Sequence, residues 1–256
     1  MSLHLIIFSF TALFALSATS ALAGSLSHQK STDYAAWSEK NRDGSWTRMT
    51  EQAVAQSPLV KLVPADVQSF CPRYASLAQQ QRSKFWVALF SAMAKPESNF
   101  KPQSFYQEKF KDARGRRVIS RGLLQISHES ANQPRYACDI KQPHSLHDPK
   151  VNLSCGVKIM SKWVQTDGVI SQPRWSKDPK GGARYWSTLR PQRGKVQSIA
   201  DFTRQLPFCD PYAHQRDKQK LHILGVFNQC QNAIVYRTGL HNDAKSTTSQ
   251  QNKGNN

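Results

Sequence analysis

Acidic residues are the scarce class in this 256-residue chain: 17 Asp and Glu stand against 35 Lys and Arg, a formal net charge of +18. That deficit argues against an ordinary neutral cytosolic enzyme and asks for an anionic partner, namely nucleic acid, an anionic membrane surface or an acidic cell-wall polymer. Long apolar runs are missing too. Residues 5–15 (LIIFSFTALFA) are apolar but too short to span a bilayer, and no later stretch is long and apolar enough to be a transmembrane helix. Helix-turn-helix, zinc-finger and aromatic RNP-type signatures are absent, so no specific nucleic-acid recognition is expected. There is no C-x-x-C, no H-E-x-x-H and no Cys/His cluster, so neither a metal nor another cofactor is expected, and His144 and His147 read as solvated loop residues. No internal repeat occurs, which makes one domain, working as a monomer, the simplest organisation.

What is present suits export. The small-residue triplet Ala21-Leu22-Ala23 follows the apolar run and fits a signal-peptide cleavage site, so residues 1–23 read as a signal peptide and the protein as periplasmic or extracellular. The short segment before the run carries no Lys or Arg, which leaves an uncleaved anchor as the alternative. Export permits disulfides, and the five cysteines are Cys71, Cys138, Cys155, Cys209 and Cys230. Cys138 with Cys155 is the best local pair and Cys209 with Cys230 a weaker second.

Residues 24–72 are polar with scattered Trp (Trp37, Trp46) and read as an N-terminal arm, extended and then broken into short helical pieces. A core helix follows from about Ser76, because Phe85, Trp86, Leu89, Phe90 and Met93 fall at i, i+1, i+4, i+5 and i+8. Pro96 is expected to end or kink it, leaving Glu97 at or just beyond the last turn. Residues 104–120 read as a β-hairpin around the turn signal at 112–115. Residues 122–126 (GLLQI) look like a helix start, and 151–164 like a full helix. Residues 172–194, rich in Pro, Gly, Arg, Lys and Trp, read as a long basic excursion, and another helix is expected over 222–236. The folded domain is bounded at 73–240, and the polar tail 241–256 is expected to be disordered.

Glu97 carries the chemistry in this reading. It follows Met93 by four residues on the apolar face of a helix end, where partial desolvation raises a carboxyl's pKa and lets it act as a general acid. Its surroundings add a pattern. Glu97-Ser98-Asn99, then Ser120-Arg121-Gly122-Leu123-Leu124-Gln125-Ile126, then Asp148-Pro149-Lys150-Val151-Asn152 through Gly156 follow in order. This resembles the lytic transglycosylase SLT domain over roughly residues 82–165. In that family an E-S sits at a helix end, an S-x-G-L-M-Q-[IL] element follows about two dozen residues later, and D-P-x-x-N-[IL]-x-x-G opens the next helix.

The resemblance implies a lysozyme-like α+β fold, mainly α, with a small β-hairpin. It also implies cleavage of the β-1,4 bond between N-acetylmuramic acid and N-acetylglucosamine in peptidoglycan, with a 1,6-anhydro product and Glu97 as acid and then base. Ser98 and Gln125 match substrate-side positions of the family, with backbone capping and a helix start as their structural alternatives. Tyr106 on the hairpin and Tyr185 in the basic segment are further candidates for the cleft. Asp148 and Asn152 are expected to fix the turn into the next helix. The chain departs from the pattern at Pro96, at Leu124 in place of Met, and at Phe227-Asn228, a poor counterpart of the family's A-Y-N-A-G. Two alternatives stand beside this reading. One is a goose-type hydrolytic muramidase using Glu108, Asp112 or Asp139 as second carboxylate. The other is a non-catalytic basic module that binds cell wall. Arg114, Arg116, Arg117 and Arg121 around the hairpin are either cleft cations or a solvated face, and Arg174, Lys177, Lys180, Arg184, Arg190, Arg193 and Lys195 mark the basic segment.

Overall fold

The computed structural model describes residues 34–191, 195–212 and 219. The expected signal peptide, the start of the arm, the helix over 222–236, the tail, Arg193 and Cys230 lie outside them. The described part is mainly α with one small antiparallel sheet, the α+β class expected.

Helix α2 (Gln79–Ser98) is the axis, and α1 (Ser45–Ala55) and α5 (Lys195–Arg204) pack against it. Every residue of α2 from Phe85 to Ala94 is buried, because Ala88, Ser91, Ala92 and Ala94 fill the sides that the large residues leave. A helix enclosed all round must satisfy its polar groups internally. Ser91 Oγ accepts from the Ala36 amide at 2.8 Å and donates to Ala88 O, and Trp86 Nε1 donates to Leu59 O and to Tyr74 Oη. Residues 34–72 carry α1 and the 3-10 turns Pro58–Lys61 and Val67–Ser69, and place Trp37, Val54, Leu59 and Phe70 in the same core as α2. Trp37 is held there by Thr47, whose hydroxyl accepts from Nε1 at 2.9 Å.

Helices α3 (His128–Ala131) and α4 (Pro149–Asp167) follow a sheet of β1 (Phe105–Lys111), β2 (Arg117–Arg121) and β3 (Ile126–Ser127) in the order β1-β2-β3. The expected hairpin is β1 and β2. Its turn is held by Asp112, whose carboxylate accepts from the Arg114 and Arg116 amides. Residues 122–126 do not start a helix. Gly122 (φ 77°) and Gln125 (φ 47°) are left-handed, and the chain turns there into β3.

Cys138 and Cys155 are bonded as expected, but Cys209 joins Cys71 rather than Cys230. Tertiary packing decides this. Thr203 Oγ1 in α5 donates to Phe70 O at 2.8 Å, which brings the two Cα atoms to 4.6 Å, within disulfide reach. The segment after α4, expected as a long basic excursion, is in part folded into the core. It forms 3-10 turns Gly181–Arg184 and Ser187–Leu189 and buries Ala183, Trp186, Thr188 and Leu189, because apolar residues alternate with its cations. Asp66 anchors its start, accepting from the Ile170 and Ser171 amides and the Ser171 hydroxyl. Trp175 stays 81% exposed at its tip.

Candidate active site

Pro96 does not end α2. It stands in the last turn, where its missing N–H forfeits a single ladder bond, and the helix runs on to Ser98. The stop comes from Asn99 (φ 51°) and Phe100 (φ 61°), two consecutive left-handed residues. Such conformations are costly for side-chain-bearing residues and gather at functional sites. Glu97 therefore projects from the final helical turn. Beside it Ser98 is buried, and its hydroxyl donates to Ala94 O and Leu123 O, tying the helix end to the 122–125 turn.

Glu97 lies between two lobes of a cleft, about 660 and 620 Å³, which also share Glu108, Phe110, Gln125 and Ser187. Its Oε1 accepts from Thr188 Oγ1 at 2.6 Å, so the basic segment supplies the residue that orients it. Withdrawal from water pushes the Glu97 carboxyl up to about 7; the Thr188 hydrogen bond opposes this, and the neighbouring Glu108 charge adds to it. A carboxyl so tuned keeps its proton in mildly acidic water, is about half ionised at neutrality, and gives the proton up without a large penalty, as an acid that must later serve as a base requires.

Glu108 enters the cleft through an irregularity in the hairpin. Regular pairing holds at Gln107 with Ile119 and resumes at Lys111 with Arg117, so residues 108–110 bulge opposite Val118. Bulges re-aim side chains beside active sites. Arg117 Nη1 donates to the bulge carbonyls of Glu108 and Lys109, and Ser120 Oγ donates to Glu108 Oε1 at 2.7 Å. Of the other carboxylates weighed, Asp112 is bound to Arg116 at the hairpin tip and Asp139 pairs with Lys141; neither lines either lobe.

Gln125 is positioned from behind. Its Nε2 donates to Ser104 O and Gly122 O, which fixes the amide orientation and leaves Oε1 as the end not engaged by them. The turn beneath it hangs on Asn152, which is fully buried in α4: Oδ1 accepts from the Leu124 amide, and Nδ2 donates to Arg121 O and Leu146 O, each at 2.9 Å. A Cβ at Gly122 would come within 2.3 Å of that Nδ2 and 2.1 Å of Leu146 O, so the turn requires glycine twice, for its φ and for its space. Asp148 caps α4 by accepting from the Lys150 amide.

Tyr185 lines the first lobe. The Ser127 amide donates to its Oη at 3.2 Å, and burial pushes the phenol up to about 12, so it stays a neutral partner. Tyr106, 53% exposed, lines the second lobe. The basic residues divide. Arg116 and Arg121 bond their own hairpin, Arg184 grips Asp167 through two nitrogens, and Arg190 donates to Ala183 O while lining the first lobe. His147 Nδ1 lies 3.0 Å from Pro102 O, and no group of three His, Cys, Asp or Glu among the described residues is placed to hold a metal. The sequence reading missed Thr188 and Trp186, whose Nε1 donates to Leu124 O at 2.8 Å; neither falls in a recognisable motif.

The family description Transglycosylase SLT domain matches residues 75–171. Among solved structures the chain is similar to Bd0314 DslA in its wild-type form 2, at 43% identity and a TM-score of 0.63, over 68% of this chain and 96% of that one. Two glutamate-to-glutamine mutants of DslA match alike, one at 42% identity over 69% of this chain and 97% of that one, the other at 43% over 68% and 96%, both with a TM-score of 0.64. No curated protein matches the chain.

Proposed function

The chain belongs to the transglycosylase SLT-domain family, and from that premise we propose that it cleaves the β-1,4 bond between N-acetylmuramic acid and N-acetylglucosamine with a 1,6-anhydro product, outside the cytosol. The coarser part is given by the family, a lytic transglycosylase-type enzyme active on peptidoglycan. Two disulfides suit an exported protein, and no described helix is long and apolar enough to cross a membrane.

One observation carries the finer reading: both cleft lobes share Glu97 and Glu108, and Glu97 is the one that accepts from Thr188 and is pushed up by burial, to about 7. Protonated Glu97 gives its proton to the leaving oxygen as the bond to C1 breaks, and the substrate's own acetamido oxygen shares the positive charge at C1. The carboxylate then takes the proton of the muramic acid 6-hydroxyl while that oxygen bonds to C1. The Glu ends protonated, and no water is consumed. Thr188 holds the carboxyl through Oε1, so Oε2 is the oxygen outside that hydrogen bond and carries the transferred proton in this reading, with Gln125, Tyr106 and Tyr185 as substrate contacts.

A second reading has an observation of its own. Glu108 faces the same cleft and acts electrostatically on Glu97, and the two mutated glutamates of DslA are separated by the same eleven residues as Glu97 and Glu108. In this reading Glu108 is the second carboxylate of a hydrolase.

Digestion of purified sacculi followed by mass spectrometry of the released muropeptides separates the two. Anhydro ends, one water lighter than reducing ends, are expected, and reducing ends alone would give the hydrolase. Glu97→Gln is expected to cut release by roughly 10²–10⁴-fold, the usual worth of a positioned acid. Unchanged release would put catalysis at a residue other than Glu97, and no release by the native protein would leave it a basic wall-binding module.

A further inference from the structure

A second cavity, about 490 Å³, opens between α1 and α4 on the flank of the cleft. Its α4 wall carries Lys150, Ser154, Lys158 and Lys162 at i, i+4, i+8 and i+12, one stripe of the helix. Gln52 and Gln56 face them from α1, and no Asp or Glu lines the groove. Lys158 and Lys162 are like charges one turn apart, an arrangement that weakens a helix. Among the described residues neither they, Lys150 nor Arg135 has an acidic partner; Lys158 Nζ instead donates to Ala137 O at 2.6 Å.

The groove also adjoins the cleft. Arg135 and Tyr136 line both, and the Arg135 guanidinium is held over the Tyr136 and Trp163 rings at 5.9 and 5.6 Å. Arg135 thus stands where a group branching from a glycan in the cleft could reach both cavities. A peptidoglycan strand carries such branches, peptide stems with several free carboxylates.

We propose that this groove is a stem-peptide site: Arg135, Lys150, Lys158 and Lys162 pair with stem carboxylates, and the amides and hydroxyls of Gln52, Gln56 and Ser154 bond its backbone. The identity of the ligand rests on peptidoglycan being the substrate; the anion-binding groove itself does not.

Calorimetric titration of the secreted protein at low salt tests this, using a synthetic stem peptide with free carboxylates and the same peptide fully amidated. Lys158→Gln/Lys162→Gln, which removes two charge pairs, is expected to weaken the free-carboxylate peptide by about tenfold or more, and full amidation, which removes every pair, by at least as much. Lys40→Gln/Lys61→Gln, an equal loss of charge outside the groove, is expected to weaken it less than about threefold. No binding, indifference to amidation, or equal weakening by both double variants overturns the site, the last by assigning the effect to net charge. Titration needs no turnover. A protein that takes the peptide yet releases nothing from sacculi would overturn the enzyme and keep the groove, whereas normal release without peptide binding would do the reverse.

Discussion

At the scale of single residues, the pKa of Glu97 balances three neighbours that pull in known directions: withdrawal from water and the Glu108 charge raise it, and the Thr188 hydroxyl lowers it. The descending limb of kcat/KM reports the free enzyme's acid, so activity is expected to fall about tenfold per pH unit above roughly 7. Glu108→Gln removes a like charge and should move that limb to lower pH. Thr188→Val removes a stabiliser of the carboxylate and should move it to higher pH, while Thr188→Ser restores it. Limbs that stay put, or move together, would break the assignment. The same group links stability to pH. Its folded-state value lies above the ordinary one, so between about 4.5 and 7 the folded protein holds more protons than the unfolded chain. Its contribution is therefore fully present below that window and is lost as pH rises through it. Relative to the native protein, Glu97→Gln, which keeps an acceptor for Thr188, should gain on the order of 3 kcal/mol on going from pH 4 to pH 8, read by urea unfolding.

At the scale of elements, the cleft depends on turns hung from helices. Asn152 is the clearest case, because its three hydrogen bonds gather the 122–125 turn, β2 and the turn before α4 about one side chain. Asn152→Ala leaves two carbonyls and an amide unpartnered in the interior and should cost about 3 kcal/mol by urea unfolding, with lower kcat on sacculi where the protein is still folded. A cost under about 1 kcal/mol would mean that water replaces the side chain.

That turn also marks how far the sequence could be read. Helices α2 and α4 and the hairpin were legible, since periodicity and the turn signal at 112–115 are local, whereas α5 was not expected and α1 only as a short helical piece of the arm. Glu97, Gln125 and Asn152 were legible through motif order. Residues 122–126 were misread because GLLQI suits a helix start, and only the contact with Asn152, some thirty residues on, imposes the left-handed φ values. Thr188 was invisible: a threonine in a Pro-, Gly- and Arg-rich stretch signals nothing until tertiary packing sets it 2.6 Å from a carboxylate 91 residues earlier. The Glu108 bulge depends on register, which alternation alone does not give.

At the scale of the whole molecule, the charge and the cross-links bear on the same compartment. A net charge of +18 draws the chain to an anionic polymer; some of the described cations brace the hairpin and the 180s loop, and others line the groove beside α4 with no acidic partner among the described residues. The cross-links decide whether the fold survives there. Cys71–Cys209 spans 138 residues and fastens the chain after α5 to the segment before α2, whereas Cys138–Cys155 spans 17 and closes one loop. If the main effect is on the freedom of the unfolded chain, the long bond is worth about 5 kcal/mol and the short one about 3, against the 5–15 kcal/mol that hold a typical domain together. Cys71→Ala/Cys209→Ala should therefore lower the urea midpoint more than Cys138→Ala/Cys155→Ala, and in reducing buffer the native protein should fall to or below the long-bond variant. All four sulfurs lie among described core or core-packed residues, so strain relief offers no ready offset. Equal losses from the two variants would show that local packing at each sulfur, not the length of chain enclosed, sets the contribution. The expected order would make stability conditional on an oxidising compartment, the one in which the proposed substrate is found.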